Sequence, residues 1–374
     1  MIGFGRTDRS TLGRWWWTVD RFTLVAFVVL IGIGITLTLA AGPATAHRKG
    51  LETYFFVQRQ LIFLAPALLA LVGLSILSVA QVRRLAIIGF GLAFAATIAT
   101  LFIGVDVNGA SRWLRFGGLS VQPSEFLKPT FVVMTAWLIS SGGRDNASQT
   151  GVLASAILCV AIVGTLAMQP DIGMSLVISC VWAAQYFIAG MPLLLVFGMF
   201  VLGAGALFAA YSMFSHVRER FDRFLDPSVE NYQVDRAMEA FEAGGLTGTG
   251  PGQGEVKYLL PDGHTDFIFA VAAEEFGAIA CVLGIALFAV IVVRGLMRMR
   301  REQDLFVVLC CSGFLALFGL QAAVNIGVNL NLLPTKGMTL PFISYGGSSL
   351  LALSISAGFL LALMRRTGSE AGYR

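Results

Sequence analysis

Apolar runs, broken by short charged or Gly/Pro-containing stretches, recur along the whole chain and set the first expectation for its architecture. Read between those breaks, they place spans at Phe22 to Gly42, Leu61 to Ala80, Leu85 to Gly104, Phe126 to Ser140, Gly151 to Met168, Gly173 to Gly190, Leu193 to Phe214, Phe267 to Val293, Leu305 to Val328 and Gly346 to Leu363. Most approach or reach the roughly 18–25 residues a helix needs to cross hydrocarbon. The pattern predicts an all-α, polytopic integral membrane protein with about ten transmembrane helices. A different periodicity marks the long polar segment from Ser215 to Thr265. There Val217, Phe221, Phe224 and Leu225 share a helical face among Arg218, Arg220 and Arg223, and after Pro227 the set Val234, Ala237, Met238 and Phe241 repeats the spacing. Both stretches predict amphipathic helices at the membrane–water interface.

Composition sharpens this picture. Of 374 residues, 56% are hydrophobic and 13% charged, about half the charged share of an average soluble protein, which excludes an ordinary cytosolic enzyme. The first run follows basic residues and precedes Ala44-Thr45-Ala46, as a signal peptide would, but its apolar core is too long, and an uncleaved helix is expected. Trp15-Trp16-Trp17 ahead of it suits an interfacial aromatic belt, with a buried cluster as the other reading. Ten spans put both termini on one side. If that side is cytoplasmic, it gathers Arg6, Arg9, Arg14, Arg83, Arg84, Arg294, Arg298, Arg300, Arg301, Arg365 and Arg366 close to span ends, and arginine there sets an N-in, C-in orientation. The net charge of +4 thus reflects topology, and no nucleic-acid footprint is present. Cys159, Cys180, Cys281, Cys310 and Cys311 all fall within apolar spans and read as small packing residues. His47, His216 and His264 each stand alone, without zinc-ligand spacing. No convincing internal repeat is apparent.

Inner connections are short, so polar chemistry concentrates outside: in the 215–265 loop, Asn108 to Lys128, Gln169-Pro170-Asp171, and Asn331 to Gly347. The arginines Arg218 and Arg220 either anchor their helix at lipid headgroups or meet a pyrophosphate. Gly244 to Gly254 is glycine-rich but ends in no Gly-Lys-Ser/Thr and follows no strand, so it reads as mobile backbone or a linker rather than a nucleotide loop. Thr265 and Asp266 could cap the helix that follows. Glu274 and Glu275 lie deeper, where an ionised carboxylate needs a wet cavity or a base. At 100° per residue, Glu274 would lie about 80° from Asp266 round one helix and Glu275 about 180° away, so only Glu274 could share its face. Glu125 and Lys128, at i and i+3, can pair at the membrane edge or contact a substrate. Asp171 reads as a turn or cap residue. Pro334 to Ser349 carries two prolines, three glycines and several hydroxyls at membrane depth, a combination tolerated where backbone is buried in protein or lines a cavity.

Five stretches in order, Asn108-Gly109-Ala110-Ser111-Arg112-Trp113-Leu114, Gln122-Pro123-Ser124-Glu125 with Lys128, Gln169-Pro170-Asp171, His264-Thr265-Asp266-Phe267-Ile268-Phe269-Ala270 with Glu274-Glu275, and Pro341 to Ser349, resemble the SEDS family of bacterial cell-wall proteins. The resemblance covers nearly the whole chain as a single transmembrane domain. Pro334-Thr335-Lys336-Gly337 and Lys257 before Tyr258 and Pro261 are similar to the family's division branch, and Trp15 to Arg21 to its alphaproteobacterial members. It implies a peptidoglycan glycosyltransferase that polymerises lipid II on the outer face of the inner membrane, at the septum. Asp266 matches the family's essential aspartate and would be the general base of an inverting displacement. Lys128, Arg112, Lys336 and Arg218 or Arg220, or a divalent cation (Mg or Mn), would meet the departing undecaprenyl pyrophosphate. Glu125, His264, Glu274 and Ser344 complete the expected substrate-binding set. The implied partners are a cognate class B penicillin-binding protein, an FtsI-like transpeptidase, and other divisome membrane proteins. Ala272-Ala273 before the Glu pair and a short N-terminal segment depart from the pattern, and leave contacts with cytoplasmic division proteins open. A lipid II flippase and a divisome scaffold are the competing readings, the first because polar residues at membrane depth would also permit transport.

Overall fold

The structure, a computed structural model, describes residues 10–107, 110–116, 119–142, 147–213, 215–225 and 231–365. Its helices are α1 (Thr11–Thr18), α2 (Arg21–Arg48), α3 (Phe55–Ser75), α4 (Val79–Ile103), α5 (Pro123–Ile139), α6 (Gln149–Met168), α7 (Ile172–Ile188), α8 (Leu193–Met213), α9 (Ser215–Leu225), α10 (Tyr232–Gly244), α11 (Ile268–Met299), α12 (Leu305–Asn329) and α13 (Gly347–Leu363). Every predicted span is a helix, displaced by a few residues at its ends. Six of the described helices, α2, α3, α4, α6, α11 and α12, are both long and apolar enough to cross a membrane, and α7 and α13 are shorter apolar helices of 17 residues. The amphipathic stretches of the long loop are α9 and α10, as their periodicity predicts.

Local chemistry sets the helix ends. Ser78 and Gln81 form a reciprocal capping box at the start of α4. The Ser148 hydroxyl accepts the Gly151 amide to start α6, and Pro123 occupies the first turn of α5, where no amide is needed. α2 continues without a break through Ala44-Thr45-Ala46, all buried. The tryptophans divide between the two readings: Trp15 is buried, donating to Ser75 at 2.8 Å, whereas Trp17 is exposed beneath the Arg21 guanidinium.

α12 is the central helix, with Leu309, Cys310 and Cys311 fully buried, packed against α11, α7 and α5, while α13 packs on α3 and α4 on α5. Large apolar side chains such as Ile88, Leu92, Val160 and Leu202 face outward, as they should where hydrocarbon is the solvent. Buried polar side chains tie several of these helices together. The fully buried Gln185 of α7 donates to the Val132 and Leu309 carbonyls and accepts the Thr135 hydroxyl at 2.6 Å, tying α5, α7 and α12 together.

Two features depart from the sequence expectation. A small antiparallel meander, β1 (Val105–Val107), β2 (Ala110–Phe116) and β3 (Leu119–Val121), leads into α5. Its strands are separated by Asn108-Gly109 and Gly117-Gly118, the dipeptides that signal two-residue hairpin connections. The glycine-rich stretch, expected to be mobile, is pinned. α11 breaks at Gly277, which has φ 78°, and the loop supplies what the break removes. Thr249 and Gly250 amides donate to the Glu274 and Glu275 carbonyls, and Gly245 and Leu246 carbonyls accept from Ala278 and Ile279. A Cβ at Gly277 would overlap the Leu246 carbonyl and the Gly248 amide.

Candidate functional site

A polar cavity of about 650 Å³ opens among the N-terminal ends of α3, α5, α7 and α11, the meander and the loop before α13. Asp266, Arg112, Lys336 and Glu125 line it, together with Arg59 and Asp171. The five sequence stretches singled out above are thereby brought to one place.

Asp266 does not begin α11, whose first residue is Ile268. It lies in a turn in which the Asp262 carbonyl accepts the Thr265, Asp266 and Phe267 amides. Its own carbonyl accepts Nδ2 of Asn325 and of Asn329, each at 2.9 Å, and Asn329 Oδ1 accepts the Ala270 amide. Gln321, one turn earlier on α12, donates to Thr339 and accepts from Lys128. Three polar residues at i, i+4 and i+8 of an apolar helix therefore fasten the Asp266 turn, the start of α11 and the 335–339 loop. That spacing, a polar residue every fourth position of an apolar helix, is visible in the sequence and is the signal for these residues. With its backbone held, the Asp266 carboxylate faces the cavity, close enough to Gly337 that an added Cβ there would sit 3.1 Å from Oδ2. Burial, with the Asp262 charge adding to it and Lys336 opposing, raises its carboxyl from 3.8 to about 7.

Opposite charge enters from two segments. Arg112 of β2 donates to the Gln169 and Pro170 carbonyls and approaches Asp171 Oδ2 at 3.6 Å, while Lys336 approaches Asp171 Oδ1 at 3.7 Å. Asp171 also caps α7 by accepting the Met174 amide, so the cap reading is right and incomplete. Burial lowers Lys336 to about 8, with Asp171 opposing.

Other expected site residues lie elsewhere. Lys128 is buried behind Glu125, paired with it at 2.8 Å and donating to Gln321, so the ion-pair reading describes its geometry and its ammonium does not line the cavity. Glu274 does not share a face with Asp266. Its carboxylate accepts the Val256 and Lys257 amides at 2.6 and 2.9 Å, while Glu275 pairs with the buried Lys257 ammonium. The helical-wheel argument fails because Asp266 precedes the helix. His264 is enclosed by Phe56 and Tyr345, and burial, then Lys49 and Arg48, lowers it to about 3, leaving it neutral. The Ser344 hydroxyl donates to the Thr265 carbonyl and accepts the Leu340 amide, which fixes the loop rather than facing the cavity. Arg218 is exposed on α9 and donates to the Ser212 carbonyl, away from the cavity. The Arg220 side chain, and Asn108 and Gly109, lie outside the described residues. Arg59 of α3, absent from the sequence expectation, is a cation on the cavity wall. Among the described residues no group of three or more His, Cys, Asp or Glu side chains could hold a metal ion.

Comparison with known proteins converges on one family. A peptidoglycan synthase complex that coordinates polymerization and crosslinking contains a chain that superposes with a TM-score of 0.77 at 28% identity, over 93% of this chain and 98% of that one. The rod shape determining protein RodA of Thermus thermophilus gives 0.69 at 26% identity, over 96% and 99%. In sequence, the chain is 43% identical over 365 residues to the probable peptidoglycan glycosyltransferase FtsW of Caulobacter vibrioides, covering 97% of this chain and 93% of that protein. It is 34% identical to the FtsW of Trichlorobacter lovleyi over 94% and 96%. The FtsW/RodA/SpoVE cell cycle protein model matches residues 21–368; with so much of its length accounted for, the chain belongs to that family.

Proposed function

We propose that this protein is a peptidoglycan glycosyltransferase that polymerises lipid II during septal wall synthesis. The observation that carries the reading is the Asp266 carboxylate, held by its backbone on the wall of a polar cavity that Arg59, Arg112 and Lys336 also line, and raised to about 7, where a general base is effective at neutral pH. The acceptor 4-hydroxyl attacks the anomeric carbon of the donor, and its proton passes to Asp266 as the new carbon–oxygen bond forms. The carbon–oxygen bond to phosphate breaks on the opposite face, so the α-linked donor gives a β-linked product without a covalent enzyme intermediate. Arg112 and Lys336 meet the charge that develops on the departing undecaprenyl pyrophosphate. A divalent cation carried with the pyrophosphate would help to offset that charge.

The walls suit a lipid-linked sugar. An apolar cavity of about 670 Å³ lies between α3, α4, α5 and α13, and the β3–α5 junction separates it from the polar one. Val121 and Pro123 line the apolar side, whereas Ser120 and Gln122 line the polar side. Headgroup and isoprenoid tail would thus part at a single wall. The orientation is N-in, C-in with the polar cavity facing the periplasm of the inner membrane, and the partner is a class B penicillin-binding protein that crosslinks the product, in keeping with the synthase complex whose chain this one resembles. The test is gel-resolved polymerisation of labelled lipid II by the protein with its cognate transpeptidase, without ATP. Glycan from the wild type and none from a folded, partner-bound Asp266→Asn variant is the expected result. Equal glycan from both overturns the role of Asp266, and glycan from neither moves the reading to lipid transport or scaffolding.

A further inference from the structure

Lys336 belongs to the loop before α13, yet its side chain lies across the first turn of α7. Each oxygen of the Asp171 carboxylate there carries one cation, Lys336 on Oδ1 at 3.7 Å and Arg112 on Oδ2 at 3.6 Å. The carboxylate is buried and fixed by the Met174 amide, while both cations keep an open edge, with side-chain exposures of 24% for Arg112 and 17% for Lys336. Two cations bridged by one carboxylate leave a net positive charge and lie within reach of one diphosphate. Burial, with the Arg112 and Lys128 charges adding to it, draws Lys336 toward neutrality, and Asp171 opposes them.

Gly173 makes this arrangement possible. A Cβ on it would overlap Cδ, Cε and Nζ of Lys336, the far end of a flexible side chain and not backbone. The lysine would have to move while α7 stays where it is. The next residue, Gly337, lies against the Asp266 carboxylate, so one short loop presents the lysine to Asp171 and its backbone to the base.

We propose that Asp171 and Gly173 are positioning residues: Asp171 sets Arg112 and Lys336 side by side as one diphosphate-binding pair, and Gly173 is the clearance that lets Lys336 reach it. The inference deepens the function proposed above and rests on its diphosphate leaving group. Direct binding tests it in the full-length protein in nanodiscs, with undecaprenyl diphosphate as the probe and undecaprenol as the phosphate-free control. Gly173→Ala and Lys336→Ala should each raise the Kd for the diphosphate at least tenfold, and the double variant should bind no more weakly than Lys336→Ala alone, because no side chain remains to displace. Undecaprenol binding should not change. Asp171→Asn should move the alkaline loss of diphosphate binding, expected near 8 in the wild type from Lys336, to lower pH, which a purely structural cap would not do. The proposal is overturned if Gly173→Ala binds the diphosphate like wild type, if it costs as much with Lys336 absent as with it present, or if it unfolds the protein in both backgrounds. Coupled binding in a protein that makes no glycan would remove the proposed function and leave this pair standing; Asp266-dependent polymerisation without the coupling would do the reverse.

Discussion

The Asp266→Asn substitution should separate activity from stability, with signs that follow from the cavity. In the wild type an acid limb near 7 from Asp266 and an alkaline limb near 8 from Lys336 predict a narrow bell for kcat/KM. With a midpoint near 7, about half the protein carries the ionised base at pH 7, roughly a tenth at pH 6 and about a hundredth at pH 5. An aspartate at its ordinary 3.8 would keep full activity across that range. The same displacement is a stability statement. Because the folded carboxyl holds its proton to higher pH than the unfolded one, stability falls as pH rises from about 4 to about 7 and stays reduced above it. The whole displacement corresponds to ~4 kcal/mol, and water in the open cavity screens part of it, leaving ~1–2 kcal/mol. An asparagine carries no such penalty, so Asp266→Asn should abolish polymerisation yet raise thermal stability in detergent at pH 8, with almost no gain at pH 4. Initial rates on labelled lipid II between pH 5 and 9 and paired unfolding curves at pH 4 and 8 check both halves. An acid limb at or below pH 5, or equal stability gains at the two pH values, would refute the reasoning.

Breaking the buried Lys257–Glu275 pair with Lys257→Met should cost about 3–5 kcal/mol by stranding the Glu275 charge, and Lys257→Met with Glu275→Leu should recover much of that; unfolding of the single and double variants measures it. Gln185→Leu removes the amide that links the Val132 and Leu309 carbonyls and the Thr135 hydroxyl, which keeps the Phe131 carbonyl, so a loss of about 1–3 kcal/mol in thermal unfolding is expected with KM for lipid II unchanged. Asn329→Leu frees one of the two amides on the Asp266 carbonyl and the acceptor of the Ala270 amide; kcat should fall roughly tenfold or more with KM little altered, as steady-state kinetics would read. Chelation by EDTA should lower the polymerisation rate only severalfold, because Arg112 and Lys336 neutralise most of the leaving-group charge, and complete loss would shift that role to a divalent cation.

The helices were legible because hydrocarbon imposes a coarse rule, long apolar runs, that needs no knowledge of neighbours. The cavity was legible through motif residues that must reach one another, and Asp266, Arg112, Lys336 and Glu125 do meet there. Contacts made through space between remote segments were not readable. Glu274 and Glu275 invite a helical-wheel argument, but Asp266 sits before the helix and Gly277 interrupts it, so wheel angles carry no meaning across that stretch. Lys128 was expected at the substrate or in an ion pair, and the choice depended on Gln321, 193 residues away in sequence. The Gln321, Asn325 and Asn329 series is present in the sequence as a periodicity, but polar residues in an apolar helix suggest a pathway before they suggest a fastener. Arg59 gave no local signal, since a single arginine near a span end is what topology alone would place there.

The interruption of α11 has a consequence for how the chain is made. Its two orphaned carbonyls and two orphaned amides are matched by residues 245–250, which leave the ribosome before the helix they complete. Unless the glycine-rich segment is in place when residues 274–279 enter the bilayer, the helix meets lipid with four unmatched polar groups, each costing several kcal/mol. Docking of the loop and insertion of the helix are therefore coupled. A chain whose loop cannot dock would present the bilayer with a helix that hydrocarbon itself rejects.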